Sequence, residues 1–199
     1  MSLTESTMMK LGTEMPDFAL LNVVNGKEVS SEDYEDAKAI CVMFISAHCP
    51  YVRHVADELS KIGQYYDGSG LEIVAISSND VENYPEDGPA GMCEMAEDYE
   101  FPFPILYDQK QEVAADFMAA CTPDFFLFAP SVDVQGRFAL MYRGQLDDSR
   151  PENGKPVTGA DLRAAIDAIL AGKKPEVAQK PSSGCSIKWK AGNEPLYNR

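Results

Sequence analysis

Ala39-Ile-Cys-Val-Met-Phe-Ile45 is seven consecutive apolar residues, and Ser46-Ala-His-Cys-Pro-Tyr-Val52 follows it directly. An apolar run of strand length with no polar alternation fits a β-strand buried on both faces, the pattern of a parallel sheet. Pro50 suits the first turn of a helix, because the N–H it lacks has no partner at that position anyway. Val52, Val55, Leu59, Ile62 and Tyr66 then recur every three to four residues, which puts one apolar stripe along the helix. Asp67-Gly-Ser-Gly70 ends it, and Leu71-Glu-Ile-Val-Ala-Ile76 reads as a second buried strand. The unit is β–α–β, with Cys49 at the junction between the first strand and the helix.

Working outward, residues 1–15 read as an irregular leader and residues 16–24 as a strand closed by the Asn25-Gly26 turn. Beyond the central unit the pattern predicts a helix over 88–99, a strand over 104–107, a helix over 111–120 and a strand over 124–128. A further strand over 137–143 pairs with the previous one through the Gly136 region, and a last helix over 160–170 is stopped by Gly172. Strands alternating with helices, then two strands paired directly, predict a three-layer α/β sandwich. Its central sheet is expected to be mostly parallel with an antiparallel edge, behind an N-terminal extension. Residues 1–172 are expected to form one domain. Residues 173–199 are a polar tail that carries the single tryptophan, Trp189, beside Ile187, and is expected to dock on that domain.

The chain has 199 residues and a net charge of −15, which opposes binding to nucleic-acid phosphate or an acidic membrane surface. No apolar run approaches the length of a membrane span, and the polar amino end does not read as a secretory signal. The five cysteines include no C-x-x-C pair and do not form an even framework, so a reducing, cytoplasmic setting is expected.

Cys49 carries the chemistry. At a helix amino end, unpaired N–H groups and the positive end of the helix dipole favour a thiolate, and His48 can add positive charge. The plainer alternative is a small apolar residue in a core. A second signal is Cys121-Thr122-Pro123 just ahead of a strand, where a cis bond would turn the chain beside the nucleophile.

Together, Cys49-Pro50-Tyr51-Val52 and Thr122-Pro123 resemble the thioredoxin superfamily. Met15-Pro-Asp-Phe-Ala-Leu20 followed by Asn25-Gly26 resembles its redoxin branch, which holds the peroxiredoxins (alkyl hydroperoxide reductase and thiol-specific antioxidant proteins). A peroxiredoxin-like subgroup is similar at His48–Val52, Ser78-Asn-Asp80, Tyr84-Pro85, residues 121–126, Tyr142-Arg-Gly144 and residues 184–189. The resemblance implies a thioredoxin-like fold and an antioxidant thiol oxidoreductase with Cys49 as nucleophile on a peroxide or disulfide. Pro50, Thr122 and Pro123 would shape the substrate contact, and a thioredoxin- or glutathione-type thiol would be the reductant, with no cofactor.

The departures from the pattern matter. Val52 stands where a thioredoxin keeps its second cysteine, so any dithiol chemistry must use another cysteine or an external thiol. Peroxiredoxins carry Pro-x-x-x-Thr/Ser-x-x-Cys; Ser46 fits, but Val42 stands in the proline position. Their arginine is replaced by the Thr122-Pro123 turn, leaving Arg53 and Arg143 as substitutes to consider. Cys121 and Cys185 are the candidates to resolve an oxidised Cys49, Cys121 by the facing turn and Cys185 by the reach of its tail. Cys41 and Cys93 read as packing. Asn79 and Asp80 follow a parallel strand and fall on the same rim as Cys49, or simply form a capped turn. Asp147-Asp148 reads as a solvated loop. Cys49 and His54 do not share a helix face, so no metal site is expected. Monothiol, glutaredoxin-like exchange and a non-catalytic scaffold that keeps the fold are the rival readings.

Overall fold

The computed structural model describes residues 3–132, 136–176 and 178–198. Its strands are β1 (Leu3–Glu5), β2 (Ala19–Asn22), β3 (Glu28–Ser30), β4 (Ala39–Phe44), β5 (Leu71–Ser77), β6 (Ile105–Tyr107), β7 (Cys121–Thr122), β8 (Asp124–Pro130), β9 (Phe138–Gly144) and β10 (Ser183–Ser186). The helices are α1 (Pro50–Tyr65), α2 (Pro89–Asp98), α3 (Glu112–Asp116) and α4 (Ala160–Leu170). The central apolar run forms β4, buried at all six positions and flanked by β5 and β8 in a seven-stranded sheet of order β3-β2-β6-β5-β4-β8-β9.

Helices and loops cover both faces, giving the expected three layers. On one face the α1 stripe, Val52, Val55, Leu59 and Ile62, packs with Met92 and Met95 of α2 and with Leu162 and Ile166 of α4. On the other, Phe44, Phe126 and Phe128 meet Phe117 just after α3, with ring centroids 5.5–5.9 Å apart in edge-to-face contacts. Each fully buried ring contributes about 1.5–3 kcal/mol relative to exposure.

The expected parallel character is corrected by the pairing. Only β4–β5 and β5–β6 are parallel; β2–β3, β2–β6, β4–β8 and β8–β9 are antiparallel. An apolar run has the same composition whichever way it points, so burial does not report direction. Between β6 and β8 the chain makes only a five-residue helix, shorter than the expected 111–120, and turns at the cis Thr122–Pro123 bond to return antiparallel.

The sequence reading also lacked β1, β3, β7 and β10. Leader residues form β1, and β1, β10 and β7 make a separate three-stranded antiparallel sheet. Within the tail, β10 thus lies between β1 and β7, with Cys185 opposite Thr122. Ile187 N–H donates to Ala120 O, Asp80 N–H to Lys188 O, and Gln111 Nε2 to Lys188 O at 2.8 Å, which continues the attachment past the strand. No helix of the described residues is long and apolar enough to cross a membrane.

Candidate active site

Cys49 is the N-cap residue of α1, with extended backbone (φ −75°, ψ 119°) and Pro50 in the first turn. It is 0% exposed. Three strands meet around its sulfur: β4 delivers it, β7 faces it, and β10 brings up Cys185. None of the five cysteines is in a disulfide.

The contacts on the sulfur set its protonation state. The Cys185 thiol donates a hydrogen bond to Cys49 and is the largest influence drawing its pKa well below that of an ordinary thiol. Burial opposes ionisation. The Thr122 hydroxyl and the backbone N–H groups of Val52 and Cys185 favour it again, although Val52 closes no full capping bond. One contact runs the other way: Sγ lies 3.2 Å from Thr122 O, to which a protonated Cys49 donates. The balance favours the thiolate. The same arrangement drives Cys185 upward, through its bond to Cys49 and its own burial, so the pair shares one proton.

Of the other predicted residues, some adjoin this sulfur and others bond elsewhere. Pro50 occupies the first helical turn, and Thr122-Pro123 forms the cis turn against the sulfur. Ser46 Oγ lies 3.3 Å from Thr122 Oγ1, so it braces the turn. Cys121 is buried, with its Sγ 3.8 Å from Pro123 O, and burial and then Asp124 hold its thiol protonated. Cys41 is buried in β4, its pKa pushed up to about 12 by burial. Cys93 is half-buried on α2. Arg53 Nε donates to Ala47 O at 2.6 Å, and Arg143 donates to Met9 O and Gln179 Oε1. His54 Nε2 lies 2.7 Å from Ser149 Oγ. No group of three or more His, Cys, Asp or Glu among the described residues is arranged to hold a metal. Asp147 departs from its predicted solvated role: it is buried and accepts from the N–H groups of Thr158 and Gly159 at 2.6 and 2.7 Å, which secures the approach to α4.

His48 sits in a network the sequence reading missed. Its Nδ1 lies 2.5 Å from Asp87 Oδ2, and its backbone N–H donates to Asp87 Oδ1 at 3.0 Å. Its ring stacks on Tyr84 at 4.9 Å. Asn79 Nδ2 donates to Asp87 Oδ2 at 2.7 Å, while its Oδ1 accepts from the Lys188 N–H at 2.8 Å. Asp80 instead shapes the turn, accepting from Glu82 N and from Asn83 Nδ2. The bond to Asp87 raises the pKa of His48 above its ordinary value, with the Cys49 charge adding to the effect. Burial works against ionisation of Asp87, yet the bonds from His48 and Asn79 hold its carboxyl below the usual range.

Residues 11–137 match the AhpC/TSA family. The chain belongs to that family. AhpC/TSA membership and the thioredoxin fold support thiol-dependent oxidoreductase activity as the general class. Among solved structures, a conserved uncharacterized protein from Geobacillus kaustophilus is 51% identical with a TM-score of 0.90, over 96% of this chain and 97% of that one. A hypothetical protein from Sinorhizobium meliloti 1021 is 45% identical with a TM-score of 0.89, over 95% of this chain and 100% of that one. A putative thiol:disulfide interchange protein DsbE from Chlorobium tepidum shares the fold at 19% identity, with a TM-score of 0.61 over 81% of this chain and 98% of that one. A search of curated proteins finds no match to the chain.

Proposed function

We propose that the protein is a thiol oxidoreductase that works through a Cys49–Cys185 couple. Cys49 is the nucleophile and Cys185 the resolving thiol, cycling between the reduced pair and an internal disulfide. The observation that carries this reading is the pairing of β10 on β7, which sets Cys185 opposite Thr122, the residue whose carbonyl oxygen lies 3.2 Å from Cys49 Sγ. The lowered pKa of Cys49 supplies the thiolate that attacks a disulfide, and the facing strand supplies a second thiol to displace the leaving group. Cys121, whose Sγ is directed at Pro123 O, is less suited to the resolving role.

Disulfide exchange is favoured over peroxide reduction as the first step. Ser46 braces Thr122, Val42 stands in place of the peroxiredoxin motif's proline, and Arg53 and Arg143 donate to Ala47 O and to Met9 O and Gln179 Oε1. A thioredoxin- or glutathione-type thiol completes the cycle by reducing the Cys49–Cys185 disulfide. The test compares consumption of hydrogen peroxide with reduction of hydroxyethyl disulfide by the wild type, Cys49→Ser and Cys185→Ser. Disulfide reduction lost in Cys49→Ser and strongly slowed in Cys185→Ser is the expected result. Turnover of both substrates unchanged in Cys49→Ser would overturn the assignment, and an ordinary thiol titration at Cys49 would leave the scaffold reading in its place.

A further inference from the structure

The reduced couple holds one proton between two sulfurs, and closing the disulfide requires that proton to leave Cys185. Once Cys49 is oxidised its charge is gone, but burial still keeps the proton on Cys185, so a nearby group must accept it. His48 adjoins Cys49 in the chain and in charge. Its Nδ1 is committed to Asp87, which fixes the ring and leaves Nε2 as its exchangeable position. Nε2 is shielded from water and has no hydrogen-bond partner among the described residues, an arrangement that costs stability and needs a reason. Asn79 links Asp87 to the Lys188 N–H, two residues past the end of β10, so the dyad is tied to the segment that carries Cys185.

We propose that His48 is the proton-handling residue of the Cys49–Cys185 couple and that Asp87 is its positioning residue. This rests on the couple proposed above. Oxidised Cys49 carries a leaving group, thiolate from a mixed disulfide or hydroxide from a sulfenic acid. Cys185 Sγ forms a bond to Cys49 Sγ, its proton passes to Nε2 of neutral His48, and the bond from Cys49 to the leaving group breaks. The leaving group departs with the electron pair and takes the proton from Nε2 as thiol or water, which returns His48 to its starting state. The charged and titratable groups that face His48 are Asp87, Cys49, Tyr84 and Lys188. Asp87 and the Cys49 thiolate favour its protonated form, and Lys188 opposes it.

The test has two readouts on the full chain. First, the His48 ring is titrated by NMR, with His54→Gln assigning the two histidines. Its midpoint is expected to fall in Asp87→Asn and, separately, in Cys49→Ser, since removing the thiolate removes one of the charges that raises it. Second, disulfide closure after one equivalent of hydroxyethyl disulfide is timed by acid quench and thiol counting across pH. His48→Gln and Asp87→Asn are expected to slow closure at least about tenfold and to abolish the wild-type pH limb, as loss of an acid–base group does. A His48→Gln profile that superimposes on the wild type, or an equal loss at every pH, overturns the proposal. Failure of the wild type to close Cys49 onto Cys185 removes the couple and this proposal together, whereas normal closure with an unaltered His48→Gln profile removes only the role of His48.

Discussion

Gly184 controls how closely the tail approaches the nucleophile. Its backbone needs no left-handed conformation; the constraint is space. A Cβ added there would lie 2.0 Å from Thr122 O and 2.9 Å from Thr122 C, both backbone atoms of the cis turn. Carbon and oxygen in favourable contact stand about 3.3 Å apart, so Gly184→Ala forces β10 back by more than about 1 Å. That displacement takes backbone bonds of about 2.9 Å beyond useful length. It withdraws Cys185 from Cys49, a bond to a charged group worth about 1.5–3 kcal/mol. One pKa unit corresponds to about 1.4 kcal/mol, so the Cys49 midpoint should rise by about 1–2 units. The assay is thiolate ultraviolet absorbance against pH, with Cys49→Ser as the blank, alongside the fluorescence of Trp189, the single tryptophan, five residues past Gly184. Cys185→Ala serves as the comparator: it should raise the midpoint by a similar amount while leaving Trp189 in its environment. Gly184→Ala with both the wild-type midpoint and the wild-type emission would refute the claim that contact with β10 sets the acidity of Cys49.

Other expectations concern the residues around this contact. Asp124 is fully buried, neither carboxyl oxygen has a hydrogen-bond partner among the described residues, and burial pushes its pKa up to about 8. The folded state therefore keeps a proton that the unfolded chain releases in the ordinary carboxylate range. That stabilisation is complete at acid pH and is lost as pH rises to about 8. Asp124→Asn should gain stability over the wild type across this window, by up to about 1.4 kcal/mol per pH unit, in urea unfolding at several pH values; parallel stability curves would contradict it. Cys121→Ser should leave oxidation of the couple unchanged by thiol counting while lowering stability by about 1–3 kcal/mol, because it places a hydroxyl in a buried apolar site.

Much of the central unit was legible because its signals are local. A wholly apolar run, a proline at the helix start and a stripe at helical spacing define β4, α1 and the position of Cys49 with no knowledge of partners. What escaped the reading depends on distant contacts. Ser183-Gly-Cys-Ser186 has little strand propensity, and its extended form comes from lying between β1 and β7. For that reason Cys185 could be named from the sequence only as a thiol within reach. Asp87 lies in Pro85-Glu-Asp87, which has the composition of a solvated acidic turn, yet its side chain is 0% exposed. No pattern in that tripeptide announces the partner of His48, some forty residues earlier. Strand direction was misjudged for a related reason: Phe125 to Phe128 would be equally apolar in a parallel strand, and only the turn at Pro123 sets their course.

The most direct test of the account is to oxidise the 199-residue chain with one equivalent of disulfide, digest it without reduction and identify the linked peptides by mass. The account predicts a single main cross-link, joining the peptide that contains Cys49 to the one that contains Cys185, reversed by added thiol. A bond from Cys49 to Cys121, or a Cys49 that ends singly capped while Cys185 stays a thiol, would contradict it.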